Sequence, residues 1–272
     1  MRWLLLVLLP FNALAQVIDD YGNRVDVKAS RIVSLAPHLT ELVYAAGAGA
    51  RMVGAVEYSD YPPAARGLPR VGSDAQISIE AVLALRPDLI VAWPNPGSAR
   101  AIDRLAGLGL PVFRSEPREL EDIATTIERL GVLAGTQAEA QRAARAFRVR
   151  KDELEKRYAG RPRLRVFYQV WDRPLLTVNG DHVISKVIRL CGGENVFEAL
   201  PLIAPEVDPE AVLRANPDVV LTSKPGAEPP KWLPRSRFFV VPADFIQRHT
   251  PRLLDGAELV CRALDEARAA RS

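Results

Sequence analysis

An internal repeat constrains this sequence more than any other feature. The letters EAVL occupy positions 80–83 and 210–213, and each copy is followed at the same spacing by Pro-Asp and an apolar run. Proline lacks an N–H group and restricts the residue before it, so each copy predicts a short helix that stops and a strand that follows. The runs at 89–92 and 219–222 are typical of strands covered on both faces of a parallel sheet. The repeat therefore predicts two similar halves.

A weaker echo extends the repeat. Strands are predicted at 31–35 and 165–170, each followed by a helix and a glycine turn. Alternating strands and helices indicate α/β structure, so the predicted fold is two doubly wound, Rossmann-like lobes. Residues 136–158 are rich in Ala, Glu, Gln and Arg without Pro or Gly, which predicts one long rigid helix between the lobes. The predicted boundaries are a signal peptide at 1–15, an N-terminal lobe at 16–134, an interlobe helix at 135–160 and a C-terminal lobe at 161–272.

The amino terminus carries the pattern of an export signal. An apolar run at 4–11 follows one arginine, and Ala13-Leu14-Ala15 matches the small residues that precede a cleavage site. The run is too short to cross a bilayer. In an exported protein an even pair of cysteines favours a disulfide, which predicts a bond between Cys191 and Cys261, with two buried free thiols as the alternative.

Composition and motifs argue against two functional classes. The net charge of +3 is interspersed and forms no basic stripe with aromatic residues, so we expect no nucleic-acid partner. The chain has no Gly-x-Ser-x-Gly elbow, no glycine-rich phosphate loop and no His-Glu-x-x-His motif. We therefore expect a protein that is not an enzyme and that uses no cofactor.

Two kinds of side chain follow the predicted strands and suit a ligand. Histidine and aspartate suggest zinc, which takes three or four such ligands, and His38, His249 and Asp244 are the candidates. No two histidines have a local ligand spacing, so zinc stays an alternative. Aromatic side chains suit a large planar ligand in a concave site. The aromatic residues at predicted strand ends are Tyr58, Tyr61, Trp93, Tyr168, Trp171 and Phe245.

At these positions the sequence resembles a known family. It is similar to the cobalamin-binding periplasmic proteins of ABC importers, within the helix-bridged class of solute-binding proteins that also carries haem and siderophores. The resemblance covers nearly all of the chain from about Arg31. The matching segments are 35–42 (LAPHLTEL), 58–63 (YSDYPP), 84–93 (ALRPDLIVAW), 191–197 (CGGENVF) and 244–248 (DFIQR).

The resemblance implies a periplasmic, monomeric protein that captures cobalamin or a related corrinoid between its lobes. It implies that Glu80 and Glu210 dock on a dimeric ABC permease in the inner membrane, and that Cys191 and Cys261 form the disulfide. The repeat gives the two glutamates equivalent places; the alternative is that both are acids favoured at helix starts by the macrodipole. The predicted ligand contacts are Pro37, His38, Tyr58, Trp93, Tyr168, Asp244, Phe245, Ile246, Gln247 and Arg248.

The sequence departs from the family pattern at three positions. Asp74 and Ala204 lie near places where the family has tryptophans, and His38 stands where a small residue is common. The departures favour "corrinoid" over cobalamin itself, and they raise the alternative that His38 approaches the cobalt, since imidazole suits such metals. A haem- or ferric-siderophore-binding protein of the same class is the other alternative.

Overall fold

The N-terminal sheet has four parallel strands. The computed structural model describes residues 16–271, so the predicted signal peptide at 1–15 lies outside the described residues. The strands are β3 (Ile32–Ser34), β4 (Met52–Ala55), β5 (Leu89–Ala92) and β6 (Val112–Arg114). Their order in the sheet is β4-β3-β5-β6, with each strand parallel to its neighbours.

The C-terminal sheet repeats this arrangement. Its strands are β7 (Leu164–Gln169), β10 (Gly193–Asn195), β11 (Val219–Thr222) and β12 (Arg237–Val240). Their order is β10-β7-β11-β12, again parallel throughout. In both sheets the first strand of the sheet along the chain lies second, and the sheet's next strand along the chain lies at the edge beside it. Short antiparallel pairs are formed by β1 (Val17–Ile18) with β2 (Arg24–Val25) and β8 (Trp171–Asp172) with β9 (Leu175–Leu176).

Helices cover the sheets and connect the lobes. They are α1 (Pro37–Ala45), α2 (Ile79–Ala84), α3 (Ala99–Gly107), α4 (Leu120–Ala134), α5 (Gln137–Tyr158), α6 (Val183–Leu190), α7 (Pro209–Ala215), α8 (Ala243–Ile246) and α9 (Leu253–Ala269). No helix within residues 16–271 is long and apolar enough to span a membrane. These elements confirm the predicted fold: two α/β lobes with parallel sheets and a long helix between them.

Helix α5 is tied to both lobes by arginine pairs. Arg148 reaches Glu128 on α4 at 2.7 Å, and Arg150 reaches Asp255 on α9 at 2.7 Å. One apolar cluster runs through both lobes and includes Phe147 of α5, which is 3% exposed. The helix is therefore part of the continuous core and is held to both lobes.

The disulfide predicted from the cysteine count is confirmed. Cys191 follows α6 and Cys261 lies on α9, and their sulfur atoms are 2.03 Å apart. The bond fastens the long C-terminal helix to the C-terminal sheet layer. Helix α1 begins at Pro37, shortly after β3 and directly after Ala36. Proline is favoured in the first turn, where its missing N–H group costs nothing.

A candidate ligand-binding cleft between the lobes

The two sheets direct the carboxyl ends of their strands toward the space between the lobes. Pro37 and His38 follow β3, Trp93 follows β5, and Ser223 follows β11. In parallel α/β sheets the loops at these strand ends form the ligand site, because the neighbouring crossovers turn away there. The structure therefore places the predicted contacts Pro37, His38 and Trp93 at this edge of the N-terminal sheet, and Ser223, which was not predicted, at the corresponding edge of the C-terminal sheet.

Tyr58 is the most exposed aromatic side chain that the N-terminal lobe contributes beside the cleft. Its relative exposure is 75%, and its φ of 62° lies in the left-handed region that bulky residues avoid. Its carbonyl oxygen accepts a hydrogen bond of 3.2 Å from Arg248 of the other lobe. The strained residue is thus held by a contact that crosses between the lobes.

Glu41 is the centre of a cross-lobe ion network. Its side chain is only 2% exposed and accepts hydrogen bonds from Arg248 at 3.0 Å and from Arg252 at 2.5 and 2.9 Å. Arg248 also contacts Asp60 at 2.8 Å and Asp244 at 3.1 Å. Burial alone would raise the pKa of Asp60, but the hydrogen bond and charge of Arg248 outweigh it and lower that pKa. A buried carboxylate with two guanidinium partners fixes the lobes relative to each other.

Four aromatic rings form a row that also crosses between the lobes. The ring of Trp93 lies 5.5 Å from that of His38, His38 lies 5.9 Å from His249, and His249 lies 5.9 Å from His182. We call these residues the ring row. It contains all the histidines of the chain, although they come from three distant segments.

The histidines of the ring row are held in the neutral form. Burial, reinforced for His38 by the charge of Arg248, lowers the pKa of His38 to about 4, and burial lowers the pKa of His182 to about 4. Burial, reinforced by His38 and His182, lowers the pKa of His249 well below its usual range. His182 Nδ1 accepts a hydrogen bond of 3.2 Å from the N–H of Ile184, so it caps α6. His38 Nε2 is buried and has no hydrogen-bond partner within the described chain.

Two predicted ligand contacts lie behind the cleft wall. Tyr168 and Ile246 are both completely buried, so neither presents its side chain to a ligand. The Tyr168 hydroxyl is 3.1 Å from Ser223 Oγ, which in turn accepts a hydrogen bond of 2.5 Å from Gln247. The central strand β7 carries Tyr168 into the core. Its role is to support Gln247.

The α8 segment supplies the C-terminal wall. Asp244 and Gln247 are exposed, and Phe245 is half-buried. The guanidinium of Arg252 lies 5.5 Å from the Phe245 ring centre and 4.0 Å from the Tyr61 ring centre. A cation between two aromatic rings stabilises both by electrostatic attraction, so Arg252 joins the aromatic surfaces of the two lobes.

The three residues proposed for zinc are not grouped as a metal site in the described part of the chain. Among residues 16–271, no three His, Cys, Asp or Glu side chains are grouped so that they could hold a metal ion. His38 and His249 are neighbours, but the Asp244 carboxylate pairs with Arg248 instead.

Sequence reasoning missed Glu41 and Arg252 and did not foresee the ring row. A signal for Glu41 was present, because a carboxylate stands among apolar residues of α1 that are otherwise buried. A buried carboxylate needs a cationic partner. Nothing local identifies that partner, since Arg248 lies 207 residues away in sequence.

Comparison with known proteins places the chain among its relatives. A model of the periplasmic binding protein family matches residues 32–238. The chain belongs to this family. The vitamin B12-binding protein of Vibrio cholerae serotype O1 is 39% identical over 246 residues, 87% of this chain and 89% of the relative. That of Yersinia pestis (strain Pestoides F) is 38% identical over 245 residues, 87% of this chain and 86% of the relative.

Solved structures agree with this periplasmic binding protein fold. The periplasmic vitamin B12 binding protein BtuF of Vibrio cholerae superposes with a TM-score of 0.82 at 39% identity, covering 89% of this chain and 99% of that one. A periplasmic heme binding protein from Pseudomonas aeruginosa has a TM-score of 0.74 at 25% identity, covering 86% of this chain and 92% of that one. Both superpose on most of the fold described above.

Proposed function

We propose that this periplasmic binding protein captures cobalamin or a related corrinoid between its lobes and delivers it to a dimeric ABC permease. The observation that carries the proposal is the 39% identity to a vitamin B12-binding protein across 87% of the chain. The cleft supports it, because aromatic side chains from both lobes flank it and polar groups lie beside them. Such a combination suits a large, partly apolar ligand with a polar fringe.

Each wall has a distinct role in this proposal. Tyr58 and Trp93 of the N-terminal lobe and Phe245 of the C-terminal lobe contact the apolar surface of the corrin ring. Asp244 and Gln247, both exposed, hydrogen-bond to its amide side chains. Arg248 already has acceptors in Glu41, Asp60 and Asp244, so it acts mainly by holding the walls in place. Pro37 and His38 form the floor between them.

The remaining features follow from the same proposal. The segment 1–15 directs export to the periplasm and is removed. The chain works as a monomer, with lobes at 16–134 and 161–272, and its action on the ligand is binding without chemical change.

Glu80 and Glu210 are the proposed docking residues. Both are exposed, and each lies in the first turn of a short helix, α2 in one lobe and α7 in the other. Reversal of both charges should sharply reduce uptake while corrinoid affinity stays the same. A loss of corrinoid affinity as large as the loss of uptake would show that the two glutamates serve the ligand site or the fold.

The ligand is tested by calorimetry with cyanocobalamin, haem and a ferric siderophore. We expect tight binding of cyanocobalamin only, and tight binding of haem without cyanocobalamin would overturn the proposal. Tyr58→Ala should weaken corrinoid binding by about tenfold through loss of aromatic contact. Tyr21→Ala is the matched control, because Tyr21 is also exposed, at 47%, but lies in the turn between β1 and β2.

Aquocobalamin tests cobalt ligation by His38. The buried position of its Nε2 predicts an unchanged visible spectrum on binding. A spectrum typical of imidazole ligation would contradict this.

A further inference from the structure

Two exposed leucines occupy the same place in the repeat. Leu83 on α2 is 40% exposed and Leu213 on α7 is 48% exposed. The residues before them, Val82 and Val212, are fully buried and pack in the core of their lobes. In each lobe, therefore, the valine belongs to the hydrophobic core and the leucine that follows it stays on the surface.

The two helices that carry the leucines begin with the same capping contact. Ser78 accepts a hydrogen bond of 3.1 Å from the N–H of Ala81, and Asp208 accepts one of 2.5 Å from the N–H of Ala211. A side-chain cap of this kind fixes the first turn of a helix. The two leucines therefore lie on helices whose first turns are fixed in the same way.

The chain that follows each helix is also anchored in the same way. Asp88 accepts a hydrogen bond of 2.8 Å from the N–H of Arg31, and Asp218 accepts one of 2.8 Å from the N–H of Arg165. Arg31 and Arg165 lie at the starts of the corresponding strands. The segment after each helix is therefore fastened to an inner strand of its own lobe by the same contact.

Each leucine lies three residues after a glutamate of the proposed docking pair. Residues three apart on a helix are neighbours on one face, so Glu80 lies beside Leu83 and Glu210 beside Leu213. Within the described part of the chain, no Lys or Arg lies within salt-bridge distance of either carboxylate, although Ser78 Oγ lies 3.4 Å from Glu80. Among the described residues, each lobe therefore presents an acidic group without a cationic partner beside a leucine that is nearly half exposed.

A single exposed leucine is ordinary on a protein surface. Here two exposed leucines lie at equivalent positions, and each lies beside a carboxylate without a cationic partner among the described residues. They match a partner that presents the same surface twice, with a cation next to an apolar socket in each copy. A two-fold symmetric partner does so, because its subunits present the same surface in two orientations. A second copy of this chain does not, since it would bring acidic patches of like charge together.

We infer that Glu80–Leu83 and Glu210–Leu213 form two equal docking patches, in which each leucine inserts into an apolar socket of the dimeric permease. This inference rests on the proposed delivery to a permease and adds an apolar anchor to the two glutamates. The acids steer the approach, and the leucines supply contact area that water leaves on docking.

The test measures binding of the full mature chain to the dimeric permease in nanodiscs. Leu83→Ser and Leu213→Ser should each weaken docking by about tenfold, since burial of one leucine contributes about that factor. A two-fold partner also predicts that the two single variants agree within about threefold, and that the double variant is weaker than either. Leu108→Ser is the matched control, because Leu108 is 56% exposed on the N-terminal lobe outside the repeat pair.

The outcomes separate this inference from the proposal on which it rests. If the unaltered chain binds corrinoid and permease but the double leucine variant docks equally well, the leucine anchor is wrong. If the unaltered chain binds no permease, the delivery function itself fails. If sedimentation shows a dimer of this chain that the leucine variants dissociate, the patches serve self-association and the inference is overturned. Unchanged corrinoid affinity and circular dichroism in the variants would show that the fold is intact.

Discussion

Acid should destabilise this protein through the histidines of the ring row. His38 and His182 have an ordinary pKa of 6.5 and a pKa of about 4 in the folded chain, because burial disfavours their charged form. Between these values the unfolded chain binds protons that the folded chain does not, so the free energy of unfolding falls as pH falls. The stabilisation that accompanies the neutral buried rings is fully present above pH 6.5 and is lost progressively down to about pH 4.

The magnitude follows from the two pKa values. Lowering the pKa of one ring from 6.5 to about 4 corresponds to about 3 kcal/mol. About half of that, near 1.5 kcal/mol per ring, is lost between pH 6.5 and pH 5, where most carboxylates still keep their charge. The two rings together should therefore reduce the free energy of unfolding by about 3 kcal/mol over this range, a large part of the stability of an ordinary domain.

Urea unfolding at pH 7, 6.5, 6 and 5 measures the effect, compared with a variant carrying His38→Gln and His182→Asn. Asparagine keeps the capping acceptor at the start of α6, so the variant changes titration more than local structure. We expect the free energy of unfolding of the variant to change clearly less with pH over this range than that of the unaltered chain. Equal slopes in the two proteins would refute the reasoning. Because the chain has only three histidines, nitrogen-15 NMR of labelled imidazoles would report each ring directly.

Three further changes test the Glu41 ion network, the disulfide and the backbone strain at Tyr58. Glu41→Gln should lower the free energy of unfolding by about 3–5 kcal/mol, because it leaves two arginines without their buried partner; a loss under 1 kcal/mol in urea titration would contradict the network. Replacing Cys191 and Cys261 with alanine should cost about 4 kcal/mol, seen as a lower melting temperature that reductant no longer affects. Tyr58→Gly should be about 1 kcal/mol more stable than Tyr58→Ala, since only glycine relieves the positive φ; equal stability would show that the loop relaxes.

The site was only partly predictable. Tyr58 and Trp93 lie just beyond strands and Asp244 lies in the first turn of the short helix α8, and the structure places all three at the edges of the cleft. Tyr168 satisfies the same local rule but is fully buried, because it lies on a central strand of the sheet and its side chain faces inward. A strand-end position in sequence does not specify which face of the sheet a side chain occupies once the strand is covered on both sides.

The sequence by itself determined the repeat, the α/β class, the helix at 136–158 and the cysteine pair, because each depends on spacing and composition along the chain. Only the tertiary structure decided that Glu41 would meet Arg248 and Arg252, and that His38, His182 and His249 would form a row with Trp93. These contacts depend on how the two lobes are set against each other. That orientation comes from the packing of α5 with α4 and α9, which no local pattern encodes.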